Sequence, residues 1–214
     1  MLIGERMSHP VVSIHTDTPI IEALNMLRRE NIRRAPVIKD GDLVGIVSDH
    51  DLLNASPSQA TSLSMWELNY LLSKVTVEDV MTSEVITVGV DTPIEQAARI
   101  MADNKIGGLP VTREGKIVGM ITETDIFKLF LELMGARDPG VRVTAMILDK
   151  PGELANLSQT ITNNGGNFVA FGIFAGENTA NREVTFKVSG IDDAKIRSII
   201  EPFVESIKDI RVQS

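Results

Sequence analysis

The segment from Met7 to Leu53 reappears as Met81 to Phe127 without insertion or deletion, at a constant offset of 74 residues. Asp17-Thr18-Pro19-Ile20 returns as Asp91-Thr92-Pro93-Ile94, Pro36-Val37 as Pro110-Val111, and Gly41, Gly45 and Asp51 as Gly115, Gly119 and Asp125. Self-similarity at a fixed period means one supersecondary unit used twice, and it constrains the fold more than any local propensity. Each copy reads as β-α-β-β-α. Val11–Ile14 and Val85–Val88 are short β-branched runs. Thr18 and Thr92 are expected to cap helices that open with proline, with Ile20, Ala23, Leu24 and Leu27 spaced for one helical face. Asp40-Gly41 and Glu114-Gly115 sit between apolar runs as two-residue hairpin turns. A single copy is too small to bury a secure core, so the two are expected to pack on each other.

Between the copies, Asn54 to Lys74 carries Met65, Trp66, Leu68, Tyr70, Leu71 and Leu72 and is expected to form a helix packed on the pair. Gly135-Ala136-Arg137-Asp138-Pro139-Gly140 breaks the pattern as a linker does. The expected divisions are 1–74 for the first copy with its connecting helix, 75–134 for the second, 135–141 for the linker and 142–214 for a further domain. That domain reads as β-α-β-β-α-β: a strand at Arg142–Leu148, a helix at Glu153–Asn164 ended by Gly165-Gly166, a hairpin of Phe168–Ala175 with Glu183–Val188, a helix from Ile191-Asp192-Asp193, and a last strand at Ile207–Val212. This is the ferredoxin-like order on one antiparallel sheet, and the fold class is α/β (α+β) throughout.

Charge narrows the partners. With 21 Lys and Arg against 29 Asp and Glu the formal net charge is −8, which argues against bulk electrostatic binding of nucleic acid. Cysteine is absent, excluding disulfides, thiol nucleophiles and thiolate metal sites. No window approaches eighteen apolar residues, and Met1–Pro10 lacks a signal-like apolar core, so no membrane association is expected and the cytoplasm is the default.

The chemistry-bearing feature lies at the end of each copy's last strand: Gly45-Ile46-Val47-Ser48-Asp49-His50-Asp51 and Gly119-Met120-Ile121-Thr122-Glu123-Thr124-Asp125. Ser/Thr-x-x-Asp entering a helix is a capping box, and for one occurrence that alone accounts for it. The same geometry suits a ligand: helix-start N–H groups favour a phosphate, a hydroxyl can bond phosphate or sugar, and a carboxylate one turn in can accept a ribose diol. Two occurrences at matching positions favour the ligand. Arg33-Arg34, with Arg28 and Arg29, forms a basic cluster that the second copy replaces with Gly107-Gly108, where Lys105 is the nearest base. It serves equally as a phosphate grip or as a solvated helix end. If it grips phosphate, one cleft handles phosphates better than the other.

These residues (Met7-Ser8 and Met81-Thr82, Asp-Thr-Pro-Ile, the Pro-Val strand, and Gly-h-h-Ser/Thr-x-x-Asp) resemble a tandem CBS-domain pair, or Bateman module. The resemblance implies two copies packed with pseudo-twofold symmetry and two clefts. In each cleft adenine lies on the Pro-containing strand, the Asp holds ribose and the hydroxyl lies near phosphates. By position it implicates Pro36, Val37, Ser48 and Asp51, then Pro110, Val111, Thr122 and Asp125. The implied ligand is an adenine nucleotide (ATP, ADP or AMP), with S-adenosylmethionine and NADH in the same class and no metal.

The 142–214 segment resembles an ACT domain, in order and in the loop Asp149-x-Pro151-Gly152 before a helix, with Asn167 opening the next strand. That implies an amino-acid site of Asp149, Gly152, Glu153 and Asn167 across a homodimer interface, with Asp149 pairing an ammonium group and the N–H groups of Gly152 and Glu153 receiving a carboxylate. The order CBS–CBS–ACT resembles the acetoin utilisation (AcuB) family, which implies control of acetoin catabolism through a regulated protein partner. The expected function is a non-catalytic, nucleotide-sensing regulator; the alternative is an amino-acid sensor whose CBS pair is structural. His9, His15 and His50 are the only histidines, and no nucleophile-and-base pattern or phosphate loop appears.

Overall fold

The computed structural model describes residues 1–55 and 74–213. The helix expected within Asn54–Lys74 lies largely outside these residues. The chain divides into two compact units, Met1–Ile126 and Phe127–Ser214. The division falls ahead of the expected linker at 135–141.

In the first unit each copy forms a three-stranded sheet. The first comprises β1 (Ile14–His15), α1 (Ile20–Arg29), β2 (Arg34–Lys39), β3 (Asp42–Ser48) and α2 (Asp49–Asn54), with sheet order β1-β2-β3. The second repeats it as β4 (Val88–Gly89), α3 (Ile94–Asn104), β5 (Gly108–Arg113), β6 (Lys116–Thr122) and the first turn of α4 (Glu123–Leu133), whose residues from Phe127 on belong to the second unit, in the order β4-β5-β6. The hairpin turns are as the sequence demands: Asp40 and Gly41, and Glu114 and Gly115, all have positive φ, the twist that two-residue hairpins need. Helices α1 and α3 depart from expectation, because Pro19 and Pro93 themselves flank the helix in extended conformation and the threonine side chains do not cap. The threonine carbonyls are engaged elsewhere, accepting Val77 N–H (2.9 Å) at Thr18 and Ile3 N–H (3.0 Å) at Thr92. A residue before proline is also biased to extended geometry.

Those two bonds show how the copies interlock: each leader docks on the other copy. Residues 1–8 run along the second, with Ile3 N–H to Thr92 O, Gly4 N–H to Val90 O, and a reciprocal pair between Ser8 and Met120. Residues 75–82 run along the first, with Ile20 N–H to Val75 O, Val77 N–H to Thr18 O, and a reciprocal pair between Ile46 and Thr82. Ile3 and Val77 are fully buried, and Val77 belongs to the core formed by Ile14, Ile20, Leu27, Val37, Val47 and Leu52. Side chains exchange as well. Met81 Sδ covers Gly45 and Met7 Sδ covers Gly119, where a Cβ would overlap the sulfur.

The second leader's turn is closed by Thr76, whose N–H and hydroxyl donate to Asp79 Oδ2 at 2.8 and 3.0 Å. The backbone bond first, then the hydroxyl, holds the Asp79 carboxyl below the usual carboxylate range. A depressed carboxyl stabilises the fold above its unfolded pKa of about 4 and loses that contribution as pH falls through the lowered value. Acid unfolding followed by circular dichroism is therefore expected to show a shallower low-pH limb in Asp79→Asn than in the parent.

The second unit contains β7 (Gly140–Leu148), α5 (Glu153–Asn163), β8 (Asn167–Ala175), β9 (Asn181–Ser189), α6 (Asp193–Ile200) and β10 (Ser206–Gln213). The four strands form one antiparallel sheet in the order β10-β7-β9-β8. One sheet face and both helices bury Val143, Ala145, Ile147, Leu157, Ile161, Val184, Phe186, Ile196 and Ile200. On the other face Lys187 is 1% exposed and its Nζ donates to the carbonyls of Gly135 (2.7 Å) and Asp138 (2.9 Å). The expected linker is thus fastened to the sheet by a buried ammonium rather than left loose.

Candidate functional site

Both Ser/Thr-x-x-Asp motifs are closed capping boxes. Ser48 Oγ and N–H both donate to Asp51 Oδ2 (2.6 and 2.8 Å), and Asp51 N–H lies 3.3 Å from Ser48 Oγ. Thr122 and Asp125 repeat this at 2.7, 3.0 and 3.4 Å. The cap draws on Oδ2 of Asp51, and a carboxylate has about four acceptor positions on its two oxygens, so it can also meet a ribose hydroxyl. Removing the hydroxyl with Ser48→Ala is expected to lower stability by about 1 kcal/mol, read from a denaturant midpoint.

One expectation fails here. The start of α2 does not present free N–H groups to a phosphate: Asp49 N–H is bonded to Arg33 O (2.9 Å), His50 N–H to the Asp49 carboxylate (2.9 Å) and Asp51 N–H to Ser48. At α4, Glu123 N–H likewise binds Gly107 O (3.1 Å). The residue just before each hairpin takes the first N–H of the helix, and side chains of the helix start take the next ones at α2. His50 faces Asn54 (3.1 Å), one turn along an exposed face.

Pro36, Val37, Pro110 and Val111 occupy buried positions on β2 and β5, with the Val37 and Val111 side chains fully enclosed. Of the cationic residues, Arg33 and Lys105 are exposed, with Lys105 left-handed at the end of α3. Arg29 pairs with Glu30 (3.0 Å). Arg34 behaves differently. It crosses to the second copy, lying over Gly107 and along Gly108, so the glycines that break the repeat are the floor beneath this side chain. The sequence pattern showed that the copies differ here; in the structure a Cβ at Gly107 would meet the Arg34 guanidinium and displace it.

Among the described residues no group of three or more His, Asp or Glu side chains is arranged to hold a metal ion, and no helix is long and apolar enough to cross a membrane. A groove of about 300 Å³ runs along α1, lined by Pro19, Ile21, Glu22, Asn25, Met26 and Arg29, and contains none of the candidate nucleotide residues.

The interlocked pair of β-α-β-β-α units, each with its leader on the other, corresponds to a recognised family. The CBS domain signature matches residues 3–58 and 77–132, just over half of the chain. The chain belongs to the CBS-domain family. Its CBS pair is 31% identical over 136 residues to a CBS domain-containing protein of Dictyostelium discoideum, covering 63% of this chain and 94% of that protein. It is 31% identical over 131 residues to L-aspartate semialdehyde sulfurtransferase of Methanocaldococcus jannaschii, of which it spans 23%. A solved CBS domain pair in complex with 5′-methylthioadenosine and S-adenosyl-L-methionine superposes with a TM-score of 0.52 at 30% identity, covering 64% of this chain and 98% of that one. A Vibrio cholerae structure named for acetoin utilization (AcuB) shares the fold, with a TM-score of 0.53, 24% identity and 64% and 96% coverage.

Beyond the CBS pair, the candidate amino-acid residues do not converge within one chain. Asp149 follows the end of β7, opposite Asn181, whereas Asn167 pairs with Ser189 at the far end of β9. Eight strand steps of about 3.3 Å put the two ends roughly 26 Å apart. Asp149 Oδ2 accepts from Arg182 Nε at 2.9 Å, so its carboxylate already has a cation. Gly152 takes the left-handed turn before α5 (φ 95°), and Glu153 N–H points back to Lys150 O at 3.4 Å.

Proposed function

We propose that the protein is a non-catalytic regulator that binds an adenosine-bearing ligand in its CBS pair. The observation that carries this reading is the pair of Ser/Thr–Asp boxes at equivalent positions of two interlocked copies, each placing a carboxylate beside the Pro-Val strand. The relative solved with methylthioadenosine and S-adenosylmethionine supports the ligand class. ATP, ADP and AMP are the first candidates, with S-adenosylmethionine and NADH in the same class. Calorimetric titration with these five is expected to show binding to the parent chain, and Asp51→Ala with Asp125→Ala together to weaken it by more than tenfold, since each loses a charge-assisted bond to ribose. Unchanged affinity in the double variant refutes the cleft assignment.

The C-terminal unit is read as an ACT domain, on its β-α-β-β-α-β order and its sheet order with β7 and β9 central. Its edge strand β8, Asn167–Ala175, carries no charge and exposes Phe171, Ile173 and Phe174, the kind of edge that invites a second strand. A homodimer through β8 follows. Ile173→Lys on that edge is expected to shift the mass measured by light scattering to that of a monomer. Pairing two antiparallel β8 strands also brings one chain's Asp149 end to the other's Asn167 end, which favours the second reading, an amino-acid sensor whose CBS pair is structural. The regulated partner, a role in acetoin catabolism and a cytoplasmic location belong to this proposal and rest on domain order and composition.

A further inference from the structure

Arg34 and Gly108 occupy equivalent places, opening β2 opposite Ser48 and β5 opposite Thr122. The Arg34 side chain leaves its own copy. Its Cδ lies 3.1 Å from where a Cβ of Gly108 would stand, beside Thr122 Cγ2 at 3.4 Å from the same point. Its guanidinium continues over Gly107, where Nη1 and Glu123 Oε2 are each 2.8 Å from the corresponding Cβ position. The charged group of the first copy therefore sits at the start of α4 in the second. It is half-buried, and among the described residues it forms no ion pair with a carboxylate. The reverse reach does not exist, because Gly108 has no side chain to extend towards Ser48. A side chain at position 108 would crowd Arg34 Cδ from its first carbon, so the two positions are packed as a glycine beneath an arginine.

An unpaired, partly dehydrated guanidinium at the start of α4 offers a planar two-donor fork, the arrangement that grips a phosphate. The geometry points to Arg34 as the specificity residue of the cleft at Thr122 and Asp125, which thereby selects adenosine carrying a 5′-phosphate, while the cleft at Ser48 and Asp51 takes adenosine without regard to phosphate. This rests on the adenosine reading above and adds that the two clefts differ, with the cation supplied by the opposite copy. Glu123 Oε2 approaches Gly107 as well, outside ion-pair distance of Arg34, and its charge opposes an incoming anion and tempers the selectivity.

Single-cleft variants separate the sites. In the Asp51→Ala protein, which retains the Thr122 cleft, AMP is expected to bind about tenfold or more tighter than adenosine. Arg34→Met abolishes that preference with adenosine affinity intact, Arg34→Lys restores part of it, and Glu123→Gln enlarges it. Gly107→Ala, which displaces the guanidinium without altering Arg34, reproduces the loss and serves where Arg34→Met fails to fold. In the Asp125→Ala protein, AMP and adenosine bind alike and Arg34→Met changes neither. Equal weakening of both ligands by Arg34→Met, or a phosphate preference residing in the Asp125→Ala protein, overturns the assignment while leaving the adenosine reading standing. Failure of the parent chain to bind either ligand overturns both.

Discussion

Deleting residues 1–8 is expected to unfold the second CBS copy, although the deletion removes none of its repeat. Ile3 is fully buried, and losing a buried isoleucine side chain costs about 2–5 kcal/mol. Five backbone bonds go with it: Ile3 to Thr92 (3.0 Å), Gly4 to Val90 (3.0 Å), Ile94 to Met1 (3.2 Å) and the two between Ser8 and Met120 (2.8 and 3.1 Å). At about 1 kcal/mol each these bring the loss to the order of 5 kcal/mol or more, the scale of a whole domain's stability. Amide hydrogen exchange is the direct measurement. Protection should collapse in β5 and β6, and urea unfolding of the deleted chain should begin at the lowest concentrations. Full retention of protection in β6 means that the leader is decoration and the interlocking account is wrong.

Lys187→Ala is expected to destabilise the C-terminal unit by about 3–5 kcal/mol. The substitution removes a fully enclosed aliphatic stem, leaving a cavity, and takes the ammonium donor from the carbonyls of Asp138 and of Gly135, which keeps only the Asp138 N–H at 3.1 Å. Lys187→Met separates the two contributions, because it fills the stem's volume while still lacking the ammonium. It should recover roughly half of the loss. Thermal unfolding of the three chains gives the comparison, and equal midpoints for Lys187→Met and the parent mean that the carbonyl bonds contribute nothing.

Local features were legible in the sequence because their causes are local. Asp40-Gly41 and Glu114-Gly115 make positive-φ turns wherever they fall between strands, and Gly165-Gly166 ends α5 because glycine alone enters the left-handed turn freely. The capping boxes were readable for the same reason, since a hydroxyl and a carboxylate three residues apart need only each other. What escaped depends on residues far apart in the chain. The caps expected of Thr18 and Thr92 fail because leaders from the other copy claim their carbonyls. The first N–H of α2 is taken by Arg33 O, and Asp149 carries an ion pair with Arg182, its neighbour across the paired strands β7 and β9. A signal for the interlocking was present nonetheless. Met7 and Met81 recur with Gly119 and Gly45, a large and a small residue repeated together, which is how a knob and its socket look when written along a line.

The exchange of leaders bears on any attempt to take the protein apart. A fragment holding only one copy keeps the segment meant for its sibling and lacks the one meant for itself, so it exposes both an empty groove and an unattached strip of chain. Two such fragments satisfy each other by trading ends, and a lone repeat is then a building block that assembles in twos. Joining two repeats in tandem makes that trade intramolecular and independent of concentration, and once joined, each half is free to diverge only where its sibling's strip does not touch it.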